Sequence, residues 1–221
     1  MRLVRASLAA DRTLLGFAGS PWTVATYMVA GEGSRDQHDT RSLAYRDRQA
    51  FQAIIDAITD VTIDYLAGQI AAGAEAVQLF DSWSGSLAPA EFERWVIAPT
   101  ARIVAALKAR FPQVPVIGFP KGAGAKLPAY ARETGVSAIG LDETVDPHWA
   151  HASLPPGLPV QGNLDPLLIE SGGAELEARA TGILEAFAGR PHVFNLGHGI
   201  GQHTPVEHVE QLLGVVRAWR G

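Results

Sequence analysis

The residues best suited to chemistry lie in short polar, glycine-rich stretches that follow apolar runs. Asn195-Leu196-Gly197-His198-Gly199 sets a histidine between two glycines. Glycine lets the backbone approach a ligand closely, and a histidine so placed serves as a proton donor or as a partner for a carboxylate. The alternative is a histidine that only satisfies loop carbonyls. Asp81-Ser82-Trp83-Ser84-Gly85 offers two hydroxyls. A nucleophilic triad is recognised by geometry rather than sequence, and no base is visible beside them, so Ser82 reads as a hydrogen-bond donor to substrate. Lys121, in Phe119-Pro120-Lys121-Gly122, is one of three lysines. Beside a glycine it suits an anionic substrate, against the alternative of a solvated surface lysine. Tyr27 falls one helical turn past Thr23, so the two can share a helix face; the plainer reading is a buried tyrosine with its hydroxyl satisfied. Asn163 and Asp165 in Gln161-Gly162-Asn163-Leu164-Asp165-Pro166 are explained by turn chemistry alone.

Other chemistries find little support. Seven histidines invite a metal, but the 221-residue chain has no cysteine and no HExxH pair. His198, His203 and His208 are spaced by five, which does not place them on one helical face, and His148, His151, His203 and His208 read as surface or capping residues. No metal site is expected. There is no phosphate-binding loop and no GxGxxG fingerprint. A net charge of −5 argues against nucleic-acid binding through a basic surface. No apolar run approaches the ~18 residues of a membrane span, and the start of the chain is too weakly apolar for a signal peptide. The expectation is a soluble cytoplasmic protein with no membrane or nucleic-acid partner. With 47% hydrophobic residues it has material for a core.

The elements that must position these loops alternate. Strands are predicted at 14–18, 76–80, 114–119, 138–141, 158–162 and 192–196, each a short apolar run with polar or glycine flanks. Between them fall helical patterns. One covers Arg46 to Ala72, with Phe51, Ile54, Ile55, Ile58, Tyr65 and Leu66 on one face. A second is marked by Phe92, Trp95, Ile103, Val104 and Leu107 and is interrupted near Pro99. A third spans Lys126 to Glu133, and a fourth carries Leu176, Ile183, Leu184 and Phe187. The last runs from about Pro205 to Trp219, with Thr204 as N-cap, Glu207 completing a capping box, and Val206, Val209, Leu213 and Val216 as its buried stripe. Such alternation implies a parallel sheet in a single domain, 1–221. An eight-unit barrel takes about 250 residues, so the chain is either a barrel short of about two units or an open doubly wound sheet. In both, ligands bind at the carboxyl ends of the strands, where the stretches above lie.

Taken together, GFAGSPWT at Gly16–Thr23 with Tyr27, DSWSG at Asp81–Gly85, GLD at Gly140–Asp142, QGNLDP at Gln161–Pro166 and NLGHG at Asn195–Gly199 resemble the uroporphyrinogen decarboxylase family in order and spacing. The resemblance implies a (β/α)8 barrel, usually a homodimer, without metal or organic cofactor. It implies removal of four acetate carboxyls from uroporphyrinogen III to give coproporphyrinogen III. Such chemistry protonates a pyrrole carbon, so that the ring accepts electrons as carbon dioxide leaves. The protein supplies an acid and stabilises charge. The family's cleft tyrosine, serine and histidine match Tyr27, Ser82 and His198, with Tyr27 and His198 the catalytic candidates and all three contacting substrate; Lys121 is added from its strand-end position. The resemblance also implies an N-terminal MRQAGRY-type arginine motif and an aspartate after the second strand, and neither occurs in this sequence. Arg2-Leu3-Val4-Arg5-Ala6 resembles the helix before the family's third strand. The six strands are then expected to be strands three to eight, with the first two βα units missing. The alternatives are a truncated, non-catalytic barrel remnant and a cobamide-dependent methyltransferase relative, which would lack cysteine for its zinc.

Overall fold

The computed structural model describes residues 1–32 and 36–220. They form two compact units, Met1–Ser137 and Ala138–Gly221. The first contains, in order, α1 (Arg2–Ser7), β1 (Leu15–Gly19), α2 (Pro21–Ala30), α3 (His38–Arg46), α4 (Arg48–Ala71), β2 (Ala76–Asp81), α5 (Pro89–Phe92), α6 (Ala98–Arg110), β3 (Val116–Pro120) and α7 (Leu127–Glu133). The second contains β4 (Ala138–Gly140), α8 (Pro147–Ser153), β5 (Val160–Leu164), α9 (Pro166–Ser171), α10 (Gly173–Ala186), β6 (His192–Leu196) and α11 (Val206–Ala218). All six predicted strands are present, within two residues at each start, and those within each unit pair in parallel.

In the first unit β1 and β2 run from Leu15↔Ala76 to Gly19↔Phe80, and β2 and β3 from Val77↔Val116 to Asp81↔Pro120. Parallel pairing needs a crossover, and β1–β2 is crossed by the helices ending in the 24-residue α4. The expected long helix, Arg46 to Ala72, is α4, which opens at Asp47, whose carboxylate accepts from the Ala50 N–H at 3.0 Å and so caps it. Phe51, Ile55, Ile58 and Leu66 are buried as its apolar face requires, but Tyr65 is exposed. The interruption near Pro99 is a π-helical stretch, Glu93–Ile97, which ends as Pro99 enters the first turn of α6. The wider turn buries three successive residues, Trp95, Val96 and Ile97. Trp95 meets Phe51 edge-on at 4.9 Å, Phe51 meets Trp22 at 5.8 Å, and these rings form the core beneath α2 and α4.

β1 shows an uncommon edge. The Ser20 N–H donates to Phe80 and the Leu14 carbonyl accepts from Glu75, so even-numbered residues face β2. Backbone groups alternate along a strand, which turns the Phe17 N–H and C=O outward. Both are taken by one side chain: Gln69 Oε1 accepts from the Phe17 N–H at 3.0 Å, and its Nε2 donates to the Phe17 carbonyl at 2.9 Å.

In the second unit β4 and β5 pair at Ile139↔Val160 and β5 and β6 from Val160↔His192 to Leu164↔Leu196. The expected face of α10 is buried at Leu176, Ile183 and Leu184, with Phe187 just beyond its end. The last helix departs from expectation. Pro205, in an extended conformation, is itself the N-cap, and no side chain caps the first turn. Thr204 and Glu207 therefore sit one position too early for a capping box. The stripe is rotated too. His208 bonds the Ile169 carbonyl at 2.8 Å, Gln211 bonds the backbone of Gly173, and Leu212 is buried, whereas Val206 and Leu213 are exposed. Polar anchors at 208 and 211 set the register that the apolar spacing alone leaves open.

Candidate active site at the strand ends

In the first unit the residues beyond β1, β2 and β3 are tied into one assembly. The Lys121 N–H donates to the Asp81 carbonyl at 3.0 Å, and Ser84 Oγ lies 3.1 Å from the carbonyl oxygens of both Asp81 and Lys121, which share its one proton. Ser84 is thus structural, whereas Ser82 is half-buried. The two loops touch backbone to backbone: a Cβ on Gly85 would lie 2.9 Å from the Gly122 carbonyl oxygen. Gly122 itself has φ +71°, a conformation that glycine adopts readily.

Lys126 is a cation that holds this loop. Its Nζ donates to the carbonyls of Gly85 at 2.9 Å and Leu87 at 2.8 Å and stands 4.9 Å from the Phe92 ring centre. Burial lowers the Lys126 pKa from its ordinary value. Lys121 is half-buried at the end of β3, as its strand-end position predicts.

Tyr27 is not the buried tyrosine of the plainer reading. It is 47% exposed on α2 and meets the Trp83 ring edge-on at 6.3 Å. Trp83 belongs to the Ser82 loop, so α2 and that loop share a wall. Trp22 Nε1 donates to the Trp83 carbonyl at 3.2 Å and reinforces it. Thr23, one turn before Tyr27, is buried, and its hydroxyl donates to Asp81 Oδ1 at 2.6 Å. Burial pushes the Asp81 carboxyl up to about 7, against the opposing pull of the Thr23 hydroxyl and the Trp83 N–H. Tyr130 lies deeper. Burial, with the Asp81 charge adding to it, raises its phenol well above the ordinary range. The sequence alone does not single out Asp81 or Trp83. The signal available is their place in the DSWSG stretch; their partners, Thr23 and Tyr27, lie far back in the chain.

In the second unit His198 follows β6 and is exposed. The preceding glycine is required: the Gly197 N–H donates to Leu164 at 2.7 Å, and an added Cβ would collide with the Glu143 backbone. The loops after β4 and β6 therefore meet at Gly197. Asn163 is more than a turn residue. It is buried at the end of β5, and its amide donates to the carbonyls of Asp142 at 2.9 Å and Val145 at 2.7 Å. Asp165 and Pro166 do what turn chemistry predicts, capping α9, with the Leu167 N–H 2.9 Å from the carboxylate. His151 bonds the Ala186 carbonyl at 2.9 Å, and His208 bonds in the last turns of α9, as capping residues do. His192 bonds the Gly162 carbonyl at 2.7 Å, and burial lowers its pKa.

Tyr27, Ser82 and Lys121 thus gather at the strand ends of the first unit, and His198 stands at a strand end of the second. Two of the clefts among the described residues lie apart from these side chains. One, of about 580 Å³, lies in the second unit among Glu143, Asn163, Asp165 and Arg179. The other, of about 440 Å³, lies in the first unit against β1 and α4. None of the four candidates lines either. No helix among the described residues is long and apolar enough to cross a membrane.

Parallel strands crossed by helices, with polar loops at their carboxyl ends, define an α/β protein whose candidate chemistry lies at one end of the strands. The chain matches the family described as Uroporphyrinogen decarboxylase (URO-D) over residues 1–219. It is 75% identical over 216 residues to a protein of Novosphingobium aromaticivorans and 71% identical over 217 residues to one of Rhizorhabdus wittichii, both named uroporphyrinogen decarboxylase. Each match covers 98% of this chain. The chain belongs to the uroporphyrinogen decarboxylase family. It spans 63% of the length of those two relatives. A solved methyltransferase from Methanosarcina mazei shares the fold, with a TM-score of 0.83 at 18% identity, covering 97% of this chain and 61% of that one.

Proposed function

We propose that the protein to which this chain contributes decarboxylates uroporphyrinogen III to coproporphyrinogen III. The observation that carries the reading is family membership over 1–219, with a relative of that name 75% identical over 216 residues. In this reading the fold is a (β/α)8 barrel whose strands three to eight are β1 to β6. The first two βα units, with the arginines and the aspartate of the family motif, come from sequence outside these residues. Tyr27, Ser82 and His198 contact the substrate, Lys121 adds positive charge for its carboxylates, and Tyr27 and His198 are the catalytic candidates. The protein is a cytoplasmic homodimer working without cofactor.

The physical logic is acid catalysis with charge stabilisation. A pyrrole carbon must gain a proton, and many carboxylates must be held while one leaves as carbon dioxide. Tyr27 and Ser82 offer hydroxyl donors, and His198 offers an imidazole on a loop held by Gly197.

The test compares three proteins by coproporphyrinogen formation. The 221-residue chain alone should give none. The chain joined to the part of the Novosphingobium aromaticivorans relative that it does not span should be active. His198→Asn in that joined protein should lower turnover by about 10² or more, the ordinary weight of a positioned acid or base. Turnover by the chain alone, or unchanged turnover in the His198 variant, refutes the corresponding part.

A further inference from the structure

We propose that the polar cleft of the second unit, bounded by α8, α9 and α10, is a binding site for a small aliphatic polyamine. The inference goes beyond the decarboxylase reading, and its test does not involve turnover.

The cleft, about 580 Å³, has the size of a small-molecule site, roughly 300–1,000 Å³. Carboxylates dominate its charge. Glu143, Asp146, Asp165 and Glu175 line it. His148 and Arg179 line it too, and Arg179 is paired with Glu175 at 2.9 Å. Asp146 and Asp165 are fixed by the helices they cap. One oxygen of each accepts a backbone N–H, from Trp149 at 2.7 Å and from Leu167 at 2.9 Å. A carboxylate has a second oxygen to offer.

Acidic side chains alone would make only a polar surface, but Asn163 adds a buried acceptor. It lines the cleft and is 4% exposed. Its Nδ2 donates to the carbonyls of Asp142 and Val145, so reversing the amide would set its oxygen against both. The Oδ1 position is therefore fixed, and that atom has no partner among the described residues. A buried acceptor left unpaired is destabilising, and a ligand donor relieves it.

The groups of Asp146, Asp165 and Asn163 left for a ligand are acceptors. They call for a ligand that only donates, as an ammonium does. No group of three His, Asp or Glu side chains among the described residues could hold a metal ion. The acceptors are thus spread out, as ammonium groups along a chain are. Val145, Leu168 and Ile183 give the methylenes between them an apolar lining. α10 leaves the room: Gly182 lines the cleft, and a Cβ there would meet nothing within 4 Å. Glycine weakens a helix interior, so this gap is not what helix stability alone would select.

The probe is spermidine, titrated by calorimetry at pH 8 into this chain and into the joined protein. One molecule should bind per chain. Asp146→Asn combined with Asp165→Asn keeps both helix caps, because asparagine caps as well as aspartate. It should weaken binding by about tenfold or more, through lost charge-assisted bonds. Gly182→Leu fills the cleft while favouring the helix, and should abolish binding. Unfolding midpoints show whether the variants are folded. Absence of spermidine binding to both proteins overturns the proposal. So does binding of many molecules per chain, as a merely charged surface gives, or binding unchanged in folded Gly182→Leu or in the folded double variant.

Discussion

The Thr23 hydroxyl donates to Asp81 Oδ1 at 2.6 Å, fastening the first turn of α2 to the end of β2. The bond joins the helix that carries Tyr27 to the strand that leads into Ser82, and both partners are buried. The carboxyl it engages titrates near neutrality for want of solvent.

That carboxyl makes stability depend on pH. Its pKa is raised in the folded state, so the native protein binds this proton more tightly than the unfolded chain. The contribution is complete below about pH 4, where both states are protonated. It declines as pH rises, and is lost as pH passes through about 7. The full shift corresponds to about 4 kcal/mol. Asp81→Asn keeps an acceptor for Thr23 and removes the titration. Urea unfolding at pH 5 and pH 8 should show wild type losing more stability than the variant. Equal losses would refute the assignment.

Lys126 should matter to the stability of the Ser82 loop. Lys126→Met removes two charge-assisted bonds, to Gly85 and Leu87, and should cost about 2 kcal/mol. Chemical denaturation reads the change, and Lys121→Met, which leaves those two bonds intact, is the comparison. An unchanged unfolding midpoint for Lys126→Met would contradict this role.

Gly197 and Gly199 flank His198 but should respond differently. At Gly197 an alanine Cβ meets the Glu143 backbone, while at Gly199 nothing lies within 4 Å. Gly197→Ala should destabilise by about 1–3 kcal/mol, as overpacking does, and Gly199→Ala by much less. Denaturation midpoints at constant slope decide the matter.

The strands are legible in the sequence because each is a short apolar run closed by polar or glycine residues, and the strand-end rule then selects the loops that carry Ser82, Lys121 and His198, whereas Tyr27, inside α2, enters through the family resemblance. What is not legible depends on partners far along the chain. Asp81 looks like any strand-end aspartate until Thr23 and the surrounding core remove its water. Tyr65 fits the apolar spacing of α4 but lines the cleft against β1, because spacing cannot say which residues the core covers. The register of α11 escapes the sequence for a related reason: His208 and Gln211 bind carbonyls on α9 and α10, and such polar anchoring leaves no trace in hydrophobic periodicity.

The contact of Gly85 with Gly122 limits what can be built onto this protein. Two loops from different strands share one layer of backbone there, with no side chain between them to yield. A fluorophore, a purification tag or an inserted peptide in either loop would therefore be felt in both. Labels intended to leave the candidate site undisturbed belong elsewhere, and the open position at Gly214 on α11 is the better host.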